Sequence, residues 1–231
     1  VDSSGLEKAL FAMQTRTDRA NRLVAAMDPV RRMALQQCIV DAFRYIWLHE
    51  IGHVVWGHVD LLGEHTGVLE MSEVDDDASD EMFPPELVQF MEFQADRFAF
   101  DSVLNYRVGP METAAQRDDL NASGRGMPAY VDQATIALMA CVITQLVFAV
   151  NLKLKGREDV AGTHPPIWFR VADMISEARG RASTLESGKG EATATEMDEL
   201  LQNRMNSAVS SVISTHPLLA EVFQRFAEHT E

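Results

Sequence analysis

Prolines mark the starts of several long helical segments in this sequence. At Asp28-Pro29 an N-cap residue precedes a proline in the first turn, where the missing backbone N–H costs no hydrogen bond. Pro84-Pro85, Met127-Pro128 and Pro165-Pro166 introduce further stretches whose apolar residues recur at helical spacing. Strand signals are nearly absent. The sequence therefore predicts an all-α fold.

The expected helices suggest a domain organisation. They cover, in chain order, residues 3–26, 28–62, 84–106, a segment from 127 onward, 165–180, 195–214 and 217–228. Helical spacing in the second one makes six side chains core candidates: Ile39, Phe43, Ile46, Trp47, Val54 and Val55. We expect a helical domain over 1–180, a linker-like segment over 181–194, and a C-terminal helical pair over 195–231 that packs on the same domain.

One helical segment is apolar enough to raise the question of a membrane. Residues 134–150 carry no charged side chain, which is at the short end of the roughly 17–25 residues that a membrane-spanning helix needs. The segment also contains Thr135, Thr144 and Gln145, which lipid tolerates poorly. We therefore expect a buried central helix, with membrane contact as the alternative.

The charge balance restricts the partners of this chain. Its 231 residues include 35 acidic and 20 basic ones, which gives a net charge of −15. Such a surface repels nucleic-acid phosphates and anionic membranes, so neither is an expected partner. The two cysteines, Cys38 and Cys141, are too few for a disulfide framework and favour a cytoplasmic location. Because the first residue is Val1, we expect a longer native protein.

The chemistry is indicated by an HExxH motif within the second predicted helix. His49 and His53 are four residues apart, or roughly 400° of helix, so they lie one turn apart on one face. Two neutral imidazoles in this arrangement suit Zn²⁺. Glu50 follows the first histidine, where it can accept a proton from water as a general base. The motif predicts zinc-dependent hydrolysis.

A second pair of polar residues, on the third predicted helix, completes the expected site. We predict Glu92 as the third metal ligand, which leaves one coordination position open, as a catalytic zinc requires. Asp96, one turn further on, is expected to accept the outer N–H of His49 and so fix its tautomer. The alternative is a solvated helix face, but the phenylalanines around these carboxylates favour burial. Two helices that give His/His and Glu/Asp predict a zincin-like fold of the gluzincin type.

The remaining histidines carry weaker signals. His58 follows His53 by five residues, which directs it away from the metal face of a continuous helix, so a structural role is expected. His65 and His229 are expected to be solvated, and His216 to mark a helix start.

In their order, these motifs resemble two related peptidase groups, the HtpX-type and CAAX-prenyl-endopeptidase metalloproteases and the soluble Lit phage-exclusion peptidase family. The Lit family is the closer match, because three further features are similar as well: the aliphatic, Trp-containing lead-in to the HExxH motif, the following Val54-Val55-x-x-His58, and an apolar helix before Thr163-His164-Pro165. The resemblance covers roughly residues 41–174. It rests on these segments: His49-Glu50-x-x-His53, Glu92-x-x-Ala95-Asp96 and His164-Pro165-x-x-x-x-Arg170.

The resemblance implies a zinc endopeptidase. It assigns the zinc ligands to His49, His53 and Glu92 and the general base to Glu50. It further implies that His164 helps to stabilise the oxyanion and that Arg170 orients His164 or anchors the site. By analogy with the Lit family, the substrate is a host protein, with a translation factor as the substrate class, and the activity is that of a phage-defence or suicide protease.

The sequence is also compatible with three other functions. Peptidases of the ImmA/IrrE type, which cleave or regulate repressors, share an HEIGH-like helix and the pattern Glu92-x-x-Ala95-x-x-Phe98-Ala99. A non-catalytic or latent zinc-binding regulatory domain that binds a protein partner is the alternative from another class. In that hypothesis the acidic segment 63–83 covers the cleft until an activating partner displaces it. Membrane-associated proteolysis is the third interpretation.

Overall fold

The helix starts marked by proline are present in the computed structural model, and no strand occurs in the part of the chain that it describes. The described residues are 3–66, 84–112, 126–154, 165, 167–186, 199–200, 202–204 and 207. The named helices are α1 Ser3–Ala26, α2 Pro29–Val55, α3 His58–Thr66, α4 Pro85–Glu112, α5 Gly126–Leu154 and α6 Ile167–Glu186. The all-α prediction is thus confirmed for the described residues.

The start of α2 has the cap that the sequence predicts. Asp28 has an extended backbone, and its side chain accepts hydrogen bonds from the backbone N–H groups of Val30 and Arg31 at 3.1 and 3.0 Å. These bonds satisfy two donors that a helix leaves unpaired at its first turn.

The predicted single helix over 28–62 is wrong at its C-terminal part. The helix ends at Val55, and a new one, α3, begins at His58. Between them Gly57 has φ of +72°, in the left-handed region that glycine adopts without steric cost. The chain therefore changes direction at Gly57, which alters where every residue after it points.

Two other predicted helix ends differ from the structure. Helix α4 continues to Glu112, beyond the expected end near residue 106, and α6 runs through Gly180 to Glu186. A glycine within a helix costs only about 1 kcal/mol, which tertiary contacts offset. Arg181 makes one such contact by donating to the Asn105 side chain of α4. Residues 181–186 of the predicted linker are thus helical. Most of the predicted C-terminal pair, and residues 67–83 of the acidic segment, lie outside the described residues.

The core lies where α2, α4, α5 and α6 pack against one another. Its buried side chains come mainly from α4 and α5, with contributions from α2 and α6. They include Tyr45, Phe100, Val103, Leu104, Val108, Val131, Leu138, Val142, Leu146, Val171 and Met174.

The core face predicted for α2 is wrong. All six candidates are exposed in the structure, among them Trp47 with 70% of its surface accessible. The face that α2 buries is the polar one, with Asp41, His49 and His53 beside Tyr45 and Gly52. Apolar spacing alone cannot reveal this inversion, because the buried polar side chains are compensated by partners on other helices.

The apolar segment of α5 is mostly buried within the protein. Length and composition alone would allow residues Ala129–Phe148 to cross a membrane. However, 61% of an 18-residue stretch within this segment is buried inside the protein. Two of its polar side chains donate internally: Thr144 donates to the carbonyl of Ala140, and Gln145 donates to the hydroxyl of Tyr45. These contacts agree with the prediction of a central core helix.

Helices α2 and α4 approach each other closely at Gly52. A Cβ atom added there would lie 3.0 Å from the Cα atom of Ala95, a backbone position that cannot yield easily. We predict that Gly52→Ala lowers the free energy of unfolding by about 1–3 kcal/mol, because the helices must separate. Gly109→Ala is the matched control, since nothing lies within 4 Å of its added methyl group. Urea unfolding of both variants checks this, and an unchanged midpoint for Gly52→Ala would contradict the packing.

Candidate metal centre

The close packing of α2 and α4 brings three predicted ligands together. His49 and His53 lie on the buried face of α2, and Glu92 faces them from α4 with 1% of its surface exposed. One potential ligand atom from each of the three lies within 4.8 Å of the others. Burial excludes the solvated-face alternative for Glu92. These three residues form a group that could hold a metal ion.

The ligand atoms converge on one point. The Nε2 atoms of His49 and His53 are 3.1 Å apart. The two carboxylate oxygens of Glu92 lie 3.4 Å from these nitrogens, Oε2 from His49 and Oε1 from His53. Two imidazole nitrogens and a carboxylate are a donor set that suits Zn²⁺ among the common divalent ions. The residues present therefore fit the predicted metal.

Asp96 is placed behind His49, as the sequence predicts. Its Oδ1 lies 3.0 Å from Nδ1 of His49. A carboxylate oxygen accepts, so Nδ1 of His49 carries a proton, and Nε2, whose lone pair in the neutral ring would bind a metal, is directed toward the centre.

A network of buried side chains surrounds Asp96. Arg170 of α6 donates to both carboxylate oxygens, at 2.6 Å from its Nη2 to Oδ1 and through Nε to Oδ2. Tyr45 donates to Oδ1 at 2.5 Å, and Gln145 donates both to the Tyr45 hydroxyl and to Asp96. Burial alone would raise the pKa of Asp96, but the charge of Arg170 and the hydrogen bonds hold it well below its usual range. Asp96 is therefore an anion fixed in place.

His58 is closer to the centre than its spacing predicts. The turn at Gly57 brings it back against α2, where it is buried, with its Nδ1 3.0 Å from Nδ1 of His53. Its Nε2 lies 3.1 Å from the side-chain oxygen of Gln94 on α4. The expected structural role is compatible with this position, but the expected direction away from the metal face is wrong. The glycine at position 57 is the signal that a helix stop was due.

Glu50 lies at the rim of the centre. It directly follows His49, and its side chain is more exposed than those of the three predicted ligands. Partial burial raises its pKa above the usual carboxyl value, opposed by His49 and reinforced by Glu92. A carboxylate at the edge of a buried centre is accessible to solvent as well as to the centre.

The two histidines differ in charge when no metal is bound. Burial lowers the pKa of His53 to about 4, so its ring is neutral at physiological pH. Burial also acts to lower the pKa of His49, but hydrogen bonds to Asp96 and Glu92 outweigh it and raise that pKa to about 10. The carboxylates therefore favour a positive charge at this point, whether a proton or a metal ion supplies it.

Of the two remaining predicted site residues, the structure describes Arg170 but not His164. Arg170 is buried and paired with Asp96, and its Nη2 lies 4.0 Å from Oε2 of Glu92. This position is compatible with the anchoring role, one of the two predicted for Arg170, and the role itself stays a prediction. His164 lies outside the described residues, and its role stays a prediction.

Two packed helices that place two imidazoles and a carboxylate at one buried point define a helical protein with a candidate metal centre. The model of the family described as Peptidase U49 matches residues 15–186, which is most of the chain. The chain therefore belongs to the Peptidase U49 family, and this membership supports a peptidase function. The match includes every residue of the candidate centre. No curated protein and no solved structure matches the chain.

Metal content can be measured directly. We predict that the purified chain binds one divalent ion and that His49→Ala, His53→Ala and Glu92→Gln each lose most of it, because each removes one of three ligands. The metal-free protein should also unfold at lower temperature, since metal binding stabilises only the folded state. Metal analysis and thermal unfolding check both expectations. Glu86→Gln, an exposed carboxylate in the first turn of α4, is the control that should keep the ion.

Proposed function

We propose that this chain is a zinc-dependent endopeptidase of the gluzincin type, which hydrolyses peptide bonds of a protein substrate. The observation that carries the proposal is the convergence of His49, His53 and Glu92 beside Glu50 in a member of a peptidase family. The donor set of two histidines and one glutamate is that of known catalytic zinc sites and leaves a coordination position for the reaction.

The residues of the chain divide the chemistry among them. His49, His53 and Glu92 would hold the zinc ion, whose contribution when bound is Lewis acidity. Glu50 accepts one proton from the attacking water while the water oxygen bonds to the carbonyl carbon of the substrate. The same carboxyl group then donates that proton to the amine as the C–N bond breaks.

Two further residues support this chemistry in the proposal. We assign oxyanion stabilisation to His164, on the resemblance of its motif to that of the Lit family. Arg170 acts through Asp96, because its guanidinium is buried against that carboxylate. It therefore positions His49 and does not contact the substrate.

The substrate class follows the same resemblance. We propose a cytoplasmic defence protease that cuts a host protein, with a translation factor as the first candidate and an activating partner as the trigger. The acidic surface, with a net charge of −15, argues against nucleic acid and anionic membranes as partners.

Profiling of protein N-termini in cells tests the function. Expression of the chain should generate new N-termini in one or a few host proteins, and Glu50→Gln should generate none of them. Glu86→Gln changes an exposed carboxylate in the same way and should leave the cleavages intact. If wild-type and Glu50→Gln cells give the same N-termini although the purified chain holds zinc, the non-catalytic zinc-domain hypothesis is favoured instead.

A further inference from the structure

We propose that His58, held by Gln94, is a positioning residue that fixes the tautomer and orientation of His53. The inference rests on the metal centre of the proposed function and assigns that centre a second support, separate from Asp96. The HExxH pattern does not include this pair, and the resemblance, which does include His58, assigns it no role.

The path of the chain after α2 places His58 beside His53. Helix α2 ends at Val55, two residues after the HExxH motif, and the chain turns at Gly57, which has a positive φ of 72°. As a result His58 begins α3 with its ring against His53, at a centroid distance of 5.1 Å and nearly edge-on. His58 is almost completely buried, with 4% of its surface exposed. A buried imidazole in this position must satisfy both ring nitrogens locally.

The hydrogen bonds of His58 determine which ring nitrogens of His58 and His53 carry a proton. The side-chain oxygen of Gln94 only accepts, so Nε2 of His58 donates to it across 3.1 Å. A neutral His58 then has its lone pair on Nδ1. That lone pair lies 3.0 Å from Nδ1 of His53, which must therefore carry the proton and donate. The consequence is that Nε2 of His53 presents a lone pair, as a metal ligand requires.

The same chain of hydrogen bonds excludes another arrangement. If Nε2 of His53 donated to Nε2 of His49 across their 3.1 Å separation, Nδ1 of His53 would need a donor. Neutral His58 has its one N–H engaged with Gln94 and cannot provide a second. Nε2 of His53 is thus left with a lone pair toward the centre, which a proton on Nε2 of His49 or a bound metal ion would satisfy.

The geometry also shows what His58 does not do. Its nearest contact to the centre is with Nδ1 of His53, on the far side of that ring from Nε2. It therefore supports a ligand and is not itself a fourth ligand. Each histidine of the centre has an acceptor behind it: a charged carboxylate, Asp96, for His49, and a neutral imidazole for His53.

Zinc affinity and the tautomer of His53 test the proposal. In nitrogen-15 spectra of the metal-free full chain, His53 should carry its proton on Nδ1. His58→Leu should weaken zinc binding by about 10–100-fold, measured by competition with a chelator. His58→Asn, whose side-chain oxygen can accept near the same place, should recover part of this loss. Gln94→Met should release the His58 tautomer and weaken binding less than His58→Leu does.

Several outcomes overturn it. The proposal is wrong if His53 carries its proton on Nε2, or if His58→Leu binds zinc within twofold of the wild type. It is also wrong if His58→Asn and His58→Leu lose the same affinity, which would indicate a merely steric role. Should His58→Leu fail to fold, Gln94→Met and the wild-type spectrum still decide. None of these readouts requires peptide cleavage, so a chain that binds zinc but cuts nothing would contradict the proposed function and leave this inference standing.

Discussion

Glu50→Gln is expected to reduce peptide hydrolysis by about 10²–10⁴-fold, the usual contribution of a general base. The amide has nearly the same shape as the carboxylate but cannot take a proton from water. Because Glu50 is not one of the three converging ligands, the variant should keep its metal and its thermal stability. The measurement is the cleavage rate of an identified substrate, with metal content determined on the same preparation.

The matched control for this prediction is Glu86→Gln, which makes the same chemical change on an exposed carboxylate of α4. Its rate should equal that of the wild type. A Glu50→Gln variant that keeps the wild-type rate and its metal would show that another group activates the water. Loss of the metal together with the rate would instead place Glu50 among the ligands.

The two histidines of the candidate metal centre could be predicted from the sequence because the pattern that encodes them is local. The spacing of His49 and His53 fixes their common face once the segment is helical, whatever surrounds it. Glu92 was predictable for a weaker reason, since its pairing with α2 depends on tertiary packing. The apolar neighbours on its helix indicated burial, and the structure places it 1% exposed.

The position of His58 could not be derived from helical spacing. A periodic argument assumes a continuous helix, and one residue with a positive φ ends its validity. The hydrogen-bond partners of Asp96 could not be predicted from the sequence for a related reason. Tyr45 and Gln145 come from helices far apart in sequence, and only the packed fold brings their hydrogen-bonding groups to the same carboxylate.

The inverted burial of α2 shows where hydrophobic patterning fails. Its apolar side chains face outward, whereas Asp41 is fully buried and accepts from Arg107 at 2.5 Å. Burial of such polar groups is tolerated only when each finds a partner, and the partners of the α2 groups are Arg107 and Asp96 on α4, Gln145 on α5 and His58 on α3. A candidate metal centre inside a helical protein requires a polar interior face. The helix with the HExxH motif supplies it.

The buried pair of Asp96 and Arg170 should dominate the stability of this region. Arg170→Met is expected to lower the free energy of unfolding by about 3–5 kcal/mol, because it leaves a buried carboxylate without its countercharge. The loss should shrink as the pH falls below the usual carboxyl range, since the stabilisation by Asp96 is fully present above its unfolded pKa and is lost as the pH falls toward its depressed folded pKa. Urea unfolding of wild type and variant over a pH series measures both effects.

Arg97→Met provides the control, because it also removes an arginine from an ion pair between α4 and α6. Nη2 of Arg97 lies 2.9 Å from Oε2 of Glu177, but the Arg97 side chain is 53% exposed. Such a solvated pair contributes only about 0–1 kcal/mol, since water screens the charges and the long side chains lose freedom. If both substitutions cost the same, the Asp96–Arg170 pair does not hold a buried charge. His49 would then be oriented by the shape of the core, and not by a fixed anion behind it.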